Sequence, residues 1–119
     1  DNHPLQIYNI HPDGTDAAKT ACIQTVLNRS ANKPNVIVLG DFNLRGYEPA
    51  YQLIDQVYTN AWLSVYPTGI SSDGVDMSGN DRIDHIFVSK DLRVKDPVYL
   101  KPPLTATDHP VHWVTISWG

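Results

Sequence analysis

Three short stretches carry side chains whose types and spacing could do chemistry. Gly40-Asp41-Phe42-Asn43 closes the apolar run Val36-Ile37-Val38-Leu39. Asp is a hard oxygen ligand or a base, and Asn offers both a donor and an acceptor. Two positions apart on extended backbone, Asp41 and Asn43 point to one side. There they could hold a metal-bound phosphate or an attacking water; the plain alternative is a turn in which both bond their own backbone. The stretch from Arg82 to Ser89 alternates, so that Ile83, His85 and Phe87 share one face and Asp84 takes the other. An Asp inside a strand is disfavoured and calls for a partner, either a histidine or the neighbouring Arg82. Thr107-Asp108-His109-Pro110 feeds a last alternating segment, Val111 to Trp118. Adjacent side chains point different ways in extended backbone, so one of Asp108 and His109 could ligate a metal while the other acts on substrate.

The elements that must carry these residues follow from periodicity. Val36 to Leu39 reads as a buried strand. Leu5 to His11 alternates like a half-buried strand, with Leu5, Ile7, Asn9 and His11 on one face, and Pro12-Asp13-Gly14 ends it. Thr15 or Asp16 is a suitable cap for a helix over about 16–31, whose apolar positions are Ala18, Cys22, Ile23, Val26 and Leu27. Strand, helix, strand in this order implies a crossover in an α/β layer, parallel or antiparallel. A second helix opens at Glu48-Pro49, with Ala50, Leu53, Ile54 and Val57 as its apolar face, and an apolar patch runs from Ala61 to Tyr66. Pro67 to Asn80 is a long polar loop; Asp73, Asp76 and the following Asp81 are expected to be solvated, because their spacing is not that of a calcium loop. Lys90 to Lys95 reads as a charged turn, Val98-Tyr99-Leu100 as a short edge strand, and Lys101-Pro102-Pro103 as an extended link.

Composition narrows the classes. At 119 residues the chain makes about one domain, with 9 basic against 13 acidic residues and a pI near 5.6. That balance lacks the basic footprint of extended nucleic-acid binding, and aromatic and basic residues are not interleaved. The single cysteine, Cys22, excludes an internal disulfide and reads as core. No apolar run approaches the roughly 20 residues that span a bilayer. A chain that opens on Asp1 rather than Met is expected to be processed or trimmed.

Taken in order, GDFN, RIDHIFVS and TDHPV resemble the endonuclease/exonuclease/phosphatase superfamily with its DNase I-like fold. Asn9-Ile10-His11-Pro12 is similar to that family's Asn-Thr-His-Leu strand, and the resemblance covers Leu5 to Trp118. It implies an α/β (α+β) chain: half of a four-layer α/β/β/α sandwich, with one mostly antiparallel or mixed sheet and about two helices on one face. Residues 1–119 would be a single partial domain, its C-terminal half. The implied activity is divalent-metal-dependent hydrolysis of a phosphodiester or phosphomonoester. Asp41 would orient or deprotonate the attacking water, and Asn43 would bind the scissile phosphate. His109 would bond the phosphate or move a proton, with Asp84 accepting a hydrogen bond from it. His11 would be a second phosphate-facing histidine, with Asn9 beside it at the substrate. Asp108 and Asp41 would serve the site of Mg2+, or of Mn2+ or Ca2+.

The departures carry expectations of their own. The family's N-terminal half supplies a Glu metal ligand; the one glutamate here, Glu48, follows GDFN at a helix start and does not match that motif. The arginine often found early in the first helix is absent. Thr107 replaces Ser, and Asn60 replaces the family's frequent Asp before Trp62. A half-sandwich exposes the face its other half would cover, so a companion chain or a homo-oligomer is expected. Nucleic acid, phosphoinositide, phospholipid and small phosphoesters are the implied substrate classes. A non-catalytic phosphate- or protein-binding remnant of the fold, or an oligomeric interaction protein, are the competing readings.

Overall fold

A computed structural model describes residues 3–79, 82–103, 105 and 107–119. The chain runs β1 (Gln6–Asn9), α1 (Asp16–Ser30), β2 (Val36–Asp41), α2 (Pro49–Asp55), β3 (Thr59–Asn60), α3 (Ala61–Val65), β4 (Asp84–Val88), β5 (Leu92–Leu100) and β6 (Val111–Trp118). This is the mixed α/β class that the sequence implies. One sheet has four strands in the order β1-β2-β4-β3, and β5 and β6 form a separate two-stranded sheet. β1 and β2 are parallel, joined by the α1 crossover, while β4 is antiparallel to both β2 and β3.

Each face of the larger sheet has its own cover. Val36 and Val38 of β2 and Phe87 of β4 pack with Ile23 and Val26 of α1 and with Ala50, Tyr51 and Ile54 of α2. Fully burying a residue such as Ile23 or Phe87 stabilises the fold by about 1.5–3 kcal/mol. On the opposite face Ile37, Ile86 and Val88 meet Leu92 and Val94 of β5 and Val114 and Ile116 of β6. The result is a helix–sheet–hairpin stack. Thr15 caps α1 by accepting from the Ala18 amide at 3.1 Å, and Pro49 occupies the first turn of α2.

Four local expectations change. Leu5 and Ile7 are exposed, and Tyr8 and Ile10 turn inward instead. β1 is an edge strand, and the hairpin covers β2 and β4 without reaching it. Residues 90–95 are not a turn alone: β5 already begins at Leu92 and pairs with β6 on both sides of an irregularity between Lys95 and Val98. Asp96 there has φ 51°, and Pro97 sits where a missing N–H leaves no ladder bond undone. Cys22 is half-buried rather than core, since Ile23 and Val26 hold the buried stripe of α1. Asp84 does not pair with Arg82, whose Nη1 lies 3.3 Å from His85 Nδ1 on the other side of the strand. Of the three loop acids, Asp81 lies outside the described residues. No helix among the described residues is long and apolar enough to cross a membrane.

Candidate functional site

The register brings the chemistry-bearing residues to one end of the sheet. Asp41, the last residue of β2, pairs with Asp84, the first of β4. Partners in register share a face, and this face is the one the hairpin covers. The turn before β6 swings His109 over the pair. Its Nδ1 lies 2.9 Å from Asp84 Oδ2, and its Nε2 lies 3.6 Å from Asp41 Oδ2. From beyond β1, His11 places Nε2 3.5 Å from the same Asp41 oxygen. One ligand atom each from Asp41, Asp84 and His109 lies within 4.8 Å of the others. Asp108, expected at the metal, stands outside this cluster: its side chain is 88% exposed, with Oδ1 3.8 Å from His109 Nε2.

Gly40 lets β1 and β2 close on each other just before the site. Its φ is 136°, and a Cβ there would lie 2.1 Å from the Ile10 carbonyl oxygen and 3.0 Å from Asn9 Oδ1. Asn9 is thereby held beside the strand end, exposed, one residue short of the Ile10 amide that donates to the Leu39 carbonyl. Asn43 adopts φ 48°, a left-handed conformation that Asn tolerates better than most residues. Its backbone N–H donates to Asp41 Oδ1 at 3.0 Å, and its Nδ2 donates to the Pro12 carbonyl at 2.8 Å. The carboxamide thus ties the loop to the end of the first strand segment. Asp41 is left with Oδ2 turned towards the two imidazoles.

Electrostatics separate the histidines. The hydrogen bond that His109 donates to Asp84, and then the charge of that carboxylate, raise the His109 pKa. Burial is the larger effect on Asp84 itself and raises its pKa, against the pull of His109. The two directions agree physically, because Asp84 is the more enclosed partner, at 17% side-chain exposure against 40%. His85 is different in kind. Burial lowers its pKa to about 3, so it is neutral. Its Nε2 donates to the Leu44 carbonyl at 2.7 Å, which anchors the loop after Asp41 from behind. Tyr99 adds a further brace by donating to the Asp84 carbonyl.

Lys19 escaped the sequence reading. It projects from α1, and Nζ donates to the Asn43 carbonyl at 2.8 Å and stands 3.8 Å from Glu48 Oε1. The only signal was its place one turn inside the helix that precedes GDFN, near where the family's arginine would fall. A cavity of about 240 Å³ opens between the two sheets beside Asp41 and Asp84, lined also by Leu39, Ile86, Pro110 and His112.

The family model described as the endonuclease/exonuclease/phosphatase family matches residues 4–109. Among solved structures, a functionally unknown conserved protein from Enterococcus faecalis V583 is similar over 100% of this chain and 52% of its own, with a TM-score of 0.77 and 18% identity. The human Nocturnin catalytic domain with bound sulfate is similar over 95% of this chain and 46% of its own, with a TM-score of 0.66 and 20% identity. The mannosyl-6-phosphatase of Bacteroides thetaiotaomicron VPI-5482 is similar over 92% and 49%, with a TM-score of 0.55 and 19% identity. The chain therefore spans about half the length of these structures, and the likeness is one of fold. No curated protein matches it.

Proposed function

Because this chain belongs to the endonuclease/exonuclease/phosphatase family, we propose that it is the C-terminal half of a divalent-metal-dependent phosphoesterase. The observation that carries the reading is the bridge made by His109, with Asp84 on one ring nitrogen and Asp41 near the other. Both separations from Asp41 Oδ2 to imidazole nitrogens exceed a hydrogen bond, so the three groups keep capacity for a substrate between them.

The donor set fits a hard cation. Carboxylates of Asp41 and Asp84 converge with Asp108 close by, and oxygen ligands of this kind suit Mg2+ or Mn2+. Asp41 and Asp84 would hold it here, with Asp108 as the more exposed third carboxylate. When bound, such a cation neutralises phosphate charge and stabilises the departing oxygen. The chain's own residues do the rest. Asp41 Oδ1 is fixed by the Asn43 amide, which aims Oδ2 at the attacking water and lets it take the water's proton. Asp84 holds His109 by Nδ1–H, so Nε2 is presented to the phosphate and can deliver a proton to the leaving oxygen. His11 faces Asp41 Oδ2 from the other side and is suited to bond the phosphate. Asn9 and the remaining capacity of the Asn43 carboxamide lie at the rim as substrate contacts.

The half-length match supports a companion carrying the other half of the sandwich, or a second copy. Leu100, Val111 and Trp113 share the outer face of the β5–β6 hairpin and are exposed, and an apolar surface of this kind is expected at an interface. The same surface favours the second reading, a non-catalytic module that binds phosphate groups or protein. Hydrolysis of bis-p-nitrophenyl phosphate separates the two. The protein, its chain content verified by intact mass, is assayed with Mg2+ or Mn2+ and after chelation. Turnover that vanishes on chelation and returns with metal supports the enzyme. No turnover, with and without a supplied N-terminal half, leaves the binding module.

A further inference from the structure

We infer that Lys19 and Glu48 form a positioning device that sets the orientation of the Asp41 carboxylate through the backbone of Asn43. The inference rests on the phosphoesterase reading for its catalytic consequence and on geometry alone for the device. Lys19 and Glu48 come from different elements, α1 and the cap of α2. Their side chains are only 14% and 15% exposed, yet they are held 3.8 Å apart. Each reaches the loop after Asp41. Lys19 Nζ takes the Asn43 carbonyl at 2.8 Å, and Glu48 Oε2 accepts from the Arg45 amide at 2.6 Å. His85 fixes the carbonyl of Leu44 between them.

The loop needs these ties. Asn43 holds a left-handed φ of 48°, a conformation that persists in a non-glycine residue only when its surroundings over-determine it. While Asn43 stays there, its N–H reaches back to Asp41 Oδ1 at 3.0 Å and leaves Oδ2 facing His11 and His109. If Asn43 relaxes, that N–H turns away and both carboxylate oxygens are free to rotate. Lys19 is thus two hydrogen bonds from Asp41 Oδ1, on the carboxylate whose other oxygen is proposed to take the water's proton. It touches neither substrate nor reacting atoms and is a positioning residue. Glu48 neutralises its half-buried charge, so a lysine can serve here without a free cation beside the metal site.

The test uses Lys19→Met and Lys19→Arg in the full protein, with Mn2+ and bis-p-nitrophenyl phosphate. Lys19→Met is expected to lower kcat about tenfold or more, the scale of a lost charge-assisted hydrogen bond, with KM little changed. Lys19→Arg, which keeps the donor, is expected to restore most of kcat. Amide hydrogen exchange supplies a readout that needs no turnover. In Lys19→Met the Asn43 amide should exchange faster, while Val38 and Phe87 in the sheet keep wild-type rates. Unchanged Asn43 exchange, or an unchanged kcat in an active protein, overturns the device. Faster Asn43 exchange in a protein that hydrolyses nothing leaves the device standing and removes the phosphoesterase reading.

Discussion

His109 Nδ1 lies 2.9 Å from Asp84 Oδ2 across 25 residues of sequence. The contact crosses two sheets, joining the turn before β6 to the first residue of β4. It fixes which imidazole nitrogen carries the held proton, and it turns the other towards Asp41.

Asp84→Asn tests that pairing by titration. Asp84 raises the His109 pKa, first by the hydrogen bond and then by its charge. The amide removes the charge, so the His109 pKa should fall towards the ordinary value of about 6.5. If His109 delivers a proton, activity declines as pH rises through its pKa, and in Asp84→Asn this decline should move to lower pH. His109 ring-proton NMR shifts against pH provide the check; an unmoved titration contradicts the pairing.

Acid should weaken the fold before the surface carboxylates titrate. Burial lowers the pKa of His85 to about 3 and that of His112 to about 4. Unfolded histidines protonate near 6.5, so between about 6.5 and 4 the unfolded chain binds more protons than the folded one. The contribution of these two histidines to stability is therefore fully present above 6.5 and declines as pH falls, by up to about 1.4 kcal/mol per pH unit for each of them. Urea unfolding at pH 7.5 and 5.0 measures this. His112→Phe, which retains a ring stacked on Tyr99, should show a shallower decline; an identical decline contradicts the assignment for His112.

Gly40→Ala should disrupt the junction of β1 and β2. The added Cβ meets the Ile10 carbonyl oxygen at 2.1 Å on a backbone with φ 136°. Strain of that kind alone is about 1–3 kcal/mol, and the overlap adds to it. Thermal unfolding should show a large loss of stability; a midpoint within error of wild type contradicts the described close approach.

Trp113→Ser should weaken association. Trp113 and Val111 of β6 present apolar side chains to solvent, 45% and 49% exposed. Sedimentation of the wild-type chain is expected to show self-association, or binding to a supplied N-terminal half, that the serine variant diminishes. A monodisperse wild-type monomer that ignores such a companion contradicts the interface.

Much of the fold was legible because its strongest elements obey simple periods. The run Val36 to Leu39 and the capped helix after Thr15 sit where pattern puts them. β5 was hidden because Asp96 and Pro97 interrupt its alternation, and a bulge cannot be told from a turn by period alone. The exposed side of Leu5 and Ile7 was unreadable for another reason: alternation finds a strand's two faces, but which face is buried depends on what packs there. At the site, the three motifs and the resemblance carried by their order singled out Asp41, Asp84 and His109, which the fold draws together. Lys19 was invisible, since a lysine on a helix is ordinarily solvated and its target is a backbone carbonyl 24 residues away. The solvent-facing side chain of Asp108 depends on the turn's tertiary setting and carries no sequence signal.

The central claim is that Asp41 and His109 act together on a phosphoester. Its most direct test is Mg2+- or Mn2+-dependent hydrolysis of bis-p-nitrophenyl phosphate by wild type, Asp41→Ala and His109→Ala, each confirmed folded by thermal unfolding. Metal-dependent turnover is expected in wild type, with a loss of about 10²-fold or more in each variant, the scale of a removed acid or base. Folded variants that turn over at the wild-type rate would contradict the claim.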